Sequence, residues 1–185
     1  MRALFVLLLI VFSAPAAATA QPFSPSFSVQ AAAGPTVVNS GHTVSAAAGF
    51  SPWSRVTFLV DVQRTQIESR ITPRPTNSRN PYIEFRGGTV TAVSGEVRVA
   101  LFPPDRITPY VLAGFGRGES RPTVNEHFPE AVRNDVAFLL FGAGVQVPVR
   151  NHLSVFGDFR MLAGPEGYDS MIVMYPVRVG MALRF

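Results

Sequence analysis

The sequence has no cysteine and no lysine. Without cysteine it can form no disulfide, carries no thiolate nucleophile and has no site for a lipid-modified cysteine. Its 16 positively charged residues are therefore all arginine, and they are scattered among 12 acidic residues without forming a basic run, which argues against nucleic acid as a partner. The three histidines, His42, His127 and His152, are isolated from one another and have no carboxylate or second histidine at ligand spacing, so we predict no metal site and no cofactor.

Long hydrophobic runs are also missing after residue 12, which excludes a transmembrane helix from the rest of the chain, because such a helix needs about 20 apolar residues. The one apolar run, at 3–12, follows Arg2 and precedes the small residues Ala18, Thr19 and Ala20. A positive start, a short apolar stretch and a small-residue cleavage site are typical of a secretory signal peptide. We predict a signal peptide at 1–20 and one mature domain at 21–185.

Beyond residue 25 the chain repeats the alternation of apolar and polar residues that is typical of β-strands. The clearest case is the last segment, where one face is uniformly apolar: Val173, Tyr175, Val177, Val179, Met181, Leu183 and Phe185. The same sorting predicts eight strands, at about 26–37, 42–50, 54–64, 87–102, 107–118, 135–147, 151–162 and 171–185.

The lengths of the strands and of their connections indicate a membrane-spanning barrel. Strands near ten residues are long enough to cross a bilayer at a tilt, and tight turns (51–53, 103–106, 148–151) alternate with longer polar segments such as 65–86 and 119–134. Aromatic residues gather near both predicted interfaces: Phe50, Trp53, Phe102 and Phe185 at the tight-turn end, and Phe85, Tyr168 and Tyr175 toward the other.

The second face of the strands distinguishes this barrel from a soluble one. It mixes glycine, alanine, serine, threonine and charges of both signs, which suits a narrow filled interior better than a water-facing surface. We therefore predict an all-β fold, an eight-stranded antiparallel up-and-down transmembrane β-barrel, with a soluble lipocalin-like barrel or sandwich as the alternative. The inward glycines are expected to leave room for arginine side chains.

Three segments resemble the small outer-membrane barrels of the OmpA/OmpX-type superfamily: 109–116 (PYVLAGFG), 141–145 (FGAGV) and 176–185 (PVRVGMALRF). This resemblance implies an outer-membrane location, surrounded by lipid and lipopolysaccharide. It also implies that the outer-membrane barrel assembly machinery recognises the closing residue and the apolar positions before it: Val177, Val179, Met181, Leu183 and Phe185. Members of the superfamily have adhesive, transport and lipid-modifying roles, so the resemblance predicts the location better than the activity.

Six charged residues fall on the predicted inward face at similar distances from the tight turns: Asp61, Glu96, Arg98, Asp158, Arg160 and Arg178. The first three lie on neighbouring strands, as do the last three, so we predict two patches that meet across a narrow lumen. Buried charges persist when they are paired and hydrogen-bonded. We interpret the cluster as a structural plug, with a gate or polar conduction path as the alternative.

Two further groups of residues are candidates for binding or catalysis. The arginines of the segment 64–86 are placed to contact lipopolysaccharide phosphates if that segment is extracellular: Arg64, Arg70, Arg74, Arg79 and Arg86. His152 and Ser154 resemble part of a lipid A deacylase site, but no acidic residue is positioned to orient the histidine. We therefore predict a non-enzymatic barrel with a structural or loop-mediated binding role toward an unknown extracellular ligand. Passage of a small solute is the alternative, and lipid A hydrolysis is less favoured.

Overall fold

The computed structural model describes residues 25–37, 40–73, 82–85, 87–103, 107–124, 134–165 and 171–185. In these ranges no helix is long and apolar enough to cross a membrane. The described residues form eleven strands: β1 (Ser26–Thr36), β2 (Gly41–Trp53), β3 (Val56–Ile67), β4 (Arg70–Pro73), β5 (Tyr82–Phe85), β6 (Gly88–Ala100), β7 (Thr108–Pro122), β8 (Asn134–Arg150), β9 (Leu153–Pro165), β10 (Met171–Met174) and β11 (Val177–Arg184). The predicted signal peptide lies outside the described residues.

Nine of these strands close into one antiparallel barrel, in the order β10-β9-β11-β1-β2-β3-β6-β7-β8, with β8 pairing back to β9. β10 and β11 both pair with β9, so they form a single barrel strand interrupted at Tyr175 and Pro176. Closure is made by β1 and β11, whose register runs from Ser28 opposite Arg184 to Ala33 opposite Val179. The eight-stranded up-and-down barrel predicted from the sequence is therefore confirmed.

The predicted segment boundaries need four corrections. Residues 65–86 are not all loop, because β3 continues to Ile67 and β4 pairs with β5 in a separate two-stranded hairpin. Residues 51–53 are not a turn, since β2 extends to Trp53, which pairs with Val56. Residues 119–122 belong to β7, and residues 148–150 belong to β8 rather than to a tight turn. In these cases the strands extend beyond the point where the apolar alternation fades.

The two ends of the barrel differ. Three short connections, at 54–55, 101–107 and 151–152, lie at the end where β1 begins and β11 ends; we call it the short-turn end. The opposite end, the long-loop end, carries the connections at 37–40, 68–87, 123–133 and 166–170. In an up-and-down barrel with an even number of strands, the first strand begins and the last strand ends at the same end of the barrel.

The outer surface of the barrel is apolar. Phe159 and Val179 are 46% and 63% exposed, so the alternative in which these side chains pack inside a soluble barrel is wrong. On β3 no charge faces outward between the exposed arginines Arg55 and Arg64. At a rise of about 3.3 Å per residue and a tilt of about 40°, this interval covers about 23 Å of the barrel axis, close to the apolar band of roughly 25 Å on spanning barrels.

Aromatic side chains border the apolar band at the short-turn end. Trp53, Phe102 and Phe185 are exposed there, and the Phe27 and Phe50 rings lie 5.0 Å apart. Toward the other end Tyr175 stacks on Phe159 at 6.0 Å. Of the other aromatic residues predicted there, Tyr168 lies outside the described residues and the side chain of Phe85 is not described. Rings at these positions suit the headgroup region of a bilayer.

Candidate functional site: the barrel interior

All six charged residues singled out from the sequence lie inside the barrel, on β3, β6, β9 and β11. Alternation along each strand turns every second side chain inward. Their side chains are almost fully buried, with exposures between 1% and 5%: Asp61, Glu96, Arg98, Asp158, Arg160 and Arg178. Charges buried to this degree need direct partners, because solvent cannot compensate them.

Arg178 on β11 joins β9 to the opposite wall of the barrel. Its Nε and Nη2 donate to the two oxygens of Asp158, each at 3.0 Å. Its Nη1 donates across the lumen to Asp61 Oδ2 at 2.7 Å and to Ser45 Oγ at 2.6 Å. The fork on Asp158 is bidentate, the geometry in which arginine binds a carboxylate most strongly.

Arg160 on β9 makes the second connection across the lumen. Its Nη1 donates to Asp61 Oδ2 at 3.1 Å and also to Glu96 Oε1, while its Nε donates to Asp158 Oδ2 at 3.3 Å. Ser94 Oγ donates to the same Glu96 oxygen at 2.9 Å. Arg160 and Arg178 thus tie three carboxylates from three strands into one ion network, and the two expected patches meet.

Arg98 stands apart from this ion network. Its Nη2 donates to Gln30 Oε1 at 3.0 Å and its Nη1 to Gln146 Oε1 at 3.5 Å, and its guanidinium carbon lies 4.3 Å from the centre of the Tyr110 ring. Among the described residues it forms no ion pair with a carboxylate. The six charges lie at similar distances from the tight turns along their strands, but Arg98 lies closer to the short-turn end than the ion network. Counting residues from the turns ignores the stagger between tilted neighbouring strands.

On the long-loop side of the ion network the lumen is filled by apolar side chains, which the sequence analysis did not anticipate. They come from β6, β8, β9 and β10 and are all buried: Val90, Ala92, Phe138, Leu140, Leu162 and Met174. We call this group the apolar layer. One sequence signal indicated it: residues 136–141 (VAFLLF) are apolar without alternation, as expected for a strand that is apolar on both faces.

The inward glycines accommodate aromatic rings rather than the expected arginine side chains. A methyl group on Gly144 would lie 2.6 Å from the Tyr110 ring, and one on Gly180 would lie 2.6 Å from the Phe156 ring. Tyr110 in turn donates its hydroxyl hydrogen to Asp158 Oδ2 at 3.3 Å. Glycine therefore lets large rings cross the narrow lumen and brace the charged groups.

His152 and Ser154 have separate partners. His152 Nδ1 lies 3.1 Å from the Arg184 carbonyl oxygen, whereas Ser154 Oγ accepts a hydrogen bond of 2.7 Å from Gln146 Nε2. A nucleophile and its base need to be hydrogen-bonded to each other. In the described ranges no group of three or more histidine, cysteine, aspartate or glutamate residues is arranged to hold a metal ion.

The residues predicted to contact lipopolysaccharide or the assembly machinery lie on the outside of the barrel, and the structure describes only some of them. Arg64 is exposed on the lipid-facing side of β3 near the long-loop end, next to Val44 and Thr91 on the adjacent strands. Arg70 lies in β4, but its side chain is not described, and Arg74, Arg79 and Arg86 lie outside the described residues. In β11 Val179, Met181 and Leu183 are exposed outward, as is Phe185, and Val177 is half-buried.

Several solved structures share this fold at low sequence identity. The N-terminal β-barrel domain of Pseudomonas aeruginosa OprF matches with a TM-score of 0.60 at 12% identity, covering 86% of this chain and 97% of that one. Neisserial surface protein A matches with a TM-score of 0.60 at 12% identity, covering 91% and 100%. Ail, the attachment invasion locus protein of Yersinia pestis, was solved in complex with the heparin analogue sucrose octasulfate; it matches with a TM-score of 0.52 at 12% identity, covering 87% and 98%.

No curated protein matches the chain. A family model does match it, over residues 4–172, and that model is described as the outer membrane protein beta-barrel domain. The match covers most of the chain and agrees with the closed barrel, with its apolar outside and with the resemblance to the OmpA/OmpX-type barrels. The chain therefore belongs to the outer membrane protein β-barrel domain family and is a protein of the bacterial outer membrane.

Proposed function

We propose that this protein is a closed, non-enzymatic barrel that has a structural or loop-mediated binding role in the cell envelope. The observation that carries the proposal is the filled lumen. The ion network crosses it between β3 and β9, and the apolar layer covers that network on the long-loop side. The interior of an eight-stranded barrel is just wide enough to be filled by side chains, so two consecutive filled layers leave no continuous water path.

Permeation through reconstituted barrels tests this proposal. We expect vesicles that carry the refolded protein to take up arabinose no faster than protein-free vesicles, while a general porin in parallel gives rapid uptake. Replacing Phe138 and Leu140 by alanine removes two large side chains from the apolar layer. If that variant is also impermeable, the ion network alone is sufficient to close the lumen.

A narrow channel is the second candidate. It is favoured by Arg160, which has acceptors on three strands, and by Asp61 Oδ1 and Glu96 Oε2, which have no hydrogen-bond partner among the described residues. A guanidinium with alternative acceptors is able to move between them. Stepwise single-channel currents in planar bilayers that change with Glu96→Gln would support the channel and contradict the closed barrel.

We also propose that the arginines of the segment 64–86 bind lipopolysaccharide phosphates. The exposed side chain of Arg64 at the long-loop end of the apolar band supports this, since guanidinium groups match phosphate geometry. We expect Arg64→Gln to weaken binding of the barrel to lipopolysaccharide in vesicles. Binding as tight as that of the unmodified barrel would contradict the proposal.

The outward apolar residues of β11 are proposed as the signal for the barrel assembly machinery. Phe185 also closes the barrel through reciprocal backbone hydrogen bonds with Phe27, of 3.2 and 2.8 Å. We expect Phe185→Ala to reduce the amount of folded barrel in cells while spontaneous refolding into vesicles is retained, because these backbone bonds do not need the ring. Loss of both would indicate a purely structural role.

Catalysis is not part of the proposed function, because His152 and Ser154 are bonded to different groups. We expect no release of acyl chains from lipid A added to the refolded barrel. Acyl release that disappears in Ser154→Ala would overturn this part of the proposal.

A further inference from the structure

The short-turn end of the barrel contains a recess of about 90 Å³, large enough for several water molecules or one small anion. Residues from the connections at 54–55 and 151–152 and from the adjoining strand ends line it. Four of the lining residues are arginines: Arg55, Arg98, Arg150 and Arg184. His152 also lines it, and no aspartate or glutamate is found among its described lining residues. The charged residues of the recess are therefore all basic, whereas the other buried arginines in the described part of the chain, Arg160 and Arg178, are paired with carboxylates.

Arg98 forms the inner wall of the recess and is unusual in the molecule. It is only 5% exposed, its hydrogen bonds go to the neutral amide oxygens of Gln30 and Gln146, and its Nε has no hydrogen-bond partner among the described residues. Asp158, the acid of the ion network that Tyr110 contacts, is already engaged by Arg160, Arg178 and Tyr110. A buried cation without a paired anion is unfavourable, and an anion entering the recess would relieve this.

The Arg98 guanidinium is also held rigidly. It lies over the Tyr110 ring at 4.3 Å and near the Phe156 ring at 5.3 Å. Gln146, which accepts from it, is itself fixed by donating to Ser154 at 2.7 Å. A side chain immobilised in advance loses little conformational entropy on binding, so its contribution to affinity is not offset by ordering.

The outer wall of the recess carries exposed arginines whose side chains can adjust to a ligand. Arg55 lies in the turn between β2 and β3, and Arg150 and Arg184 end β8 and β11; all three are exposed. Nδ1 of His152 contacts the Arg184 carbonyl oxygen, so its Nε2 remains to face a ligand. Guanidinium groups form paired hydrogen bonds with phosphate oxygens, and several converging from different strands surround a tetrahedral anion better than a planar one.

We propose that this recess binds a phosphate group at the periplasmic face of the outer membrane, where the short turns of bacterial barrels lie. The proposal is independent of the role assigned to the lumen and to the long loops. Two sources provide this chemistry: free phosphate in the periplasm, and the phosphodiester headgroups of the inner leaflet. The size of the recess admits one phosphate group and excludes a large polyanion.

The test measures the affinity of the recess for inorganic phosphate by isothermal titration calorimetry. The barrel is refolded in a phosphate-free non-ionic detergent at low salt. The recess variant carries Arg150→Gln and Arg184→Gln, both at exposed positions. The matched control carries Arg117→Gln and Arg121→Gln, the same change of charge at the exposed long-loop end. We expect the recess variant to lose at least tenfold in affinity and the control less than twofold. Equal losses in the two variants would overturn the proposal, and so would a failure of the unmodified barrel to bind either inorganic phosphate or the diester probe described below.

Arg98→Lys separates a built site from a diffuse basic surface. It keeps the positive charge but removes the planar fork, so we expect a further loss of at least fivefold if Arg98 contacts the phosphate. Unchanged affinity in a folded variant, judged by its heat-modifiable gel migration, would contradict a role for the buried arginine. If the variant does not fold, the recess variant by itself decides the proposal.

The source is decided by comparing inorganic phosphate with glycerophosphoglycerol, a soluble diester that carries the headgroup of phosphatidylglycerol without its acyl chains. Binding of the diester that weakens in the recess variant assigns the site to lipid headgroups. Binding of inorganic phosphate alone assigns it to free phosphate. Failure of both probes refutes the site.

Discussion

Arg178→Met tests how much the ion network contributes to the stability of the barrel. It removes four hydrogen bonds, two to Asp158, one to Asp61 and one to Ser45, from an arginine that is 2% exposed. Three buried carboxylates then share Arg160 as their one directly paired guanidinium. Breaking a buried pair by removing one partner costs about 3–5 kcal/mol, much of it from the charge left unpaired. We expect a value near the lower limit, because Asp158 and Asp61 each keep a bond to Arg160.

The loss is measured by equilibrium urea unfolding in vesicles, with the fluorescence of Trp53, the single tryptophan in the chain, as the signal. At an m-value of about 2–3 kcal/mol per molar urea, a loss of about 3 kcal/mol lowers the midpoint by roughly 1–1.5 M. Gel migration with and without heating gives an independent measure of the folded fraction.

Two companion variants make the result specific. Arg121→Met removes an exposed arginine whose partner is Glu119, and should leave the urea midpoint nearly unchanged, because exposed ion pairs are screened by solvent. Combining Arg178→Met with Asp158→Asn removes both charges of the main pair, so the double variant should be more stable than Arg178→Met alone by at least about 1 kcal/mol. A midpoint for Arg178→Met equal to that of Arg121→Met, or a double variant less stable than the single one, would refute the reasoning.

Two further predictions concern the packing of the interior and the lipid face. Gly144→Ala should destabilise the barrel by about 1–3 kcal/mol, because its methyl group would lie 2.5 Å from the Gly157 carbonyl oxygen and 2.6 Å from the Tyr110 ring. Gly95→Ala, whose methyl group meets nothing within 4 Å, should leave the urea midpoint nearly unchanged. Val60→Arg, on the outside at the level of the ion network, should cost about 2–4 kcal/mol in vesicles, against about 0–1 kcal/mol for Val149→Arg near the short-turn end.

Each of these pairs contains its own control. Equal midpoints for the two glycine variants would mean that the Tyr110 ring moves aside without loss. Equal costs for the two arginine variants would mean that Val60 does not face hydrocarbon, and the assignment of the apolar band would have to be revised.

Which residues face outward and which face inward is largely a local property of the sequence. Side chains of a strand alternate with period two, so the apolar set with Phe159 and Val179 identifies the lipid face without knowledge of pairing. Strand number and closure follow from the same pattern. The role of residues 136–141 was missed because a run that is apolar on both faces has no alternation to read.

What the sequence by itself determined is therefore a barrel with an apolar exterior and a charged interior in the outer membrane. The tertiary structure alone decided which charges meet. Arg160 reaches Asp61 and Glu96 across the lumen, over separations of 99 and 64 residues, whereas Arg98 is left against Gln30 and Gln146. The reason is geometric: the stagger of tilted strands sets the depth of each side chain, and that stagger is a property of the closed barrel rather than of any one strand.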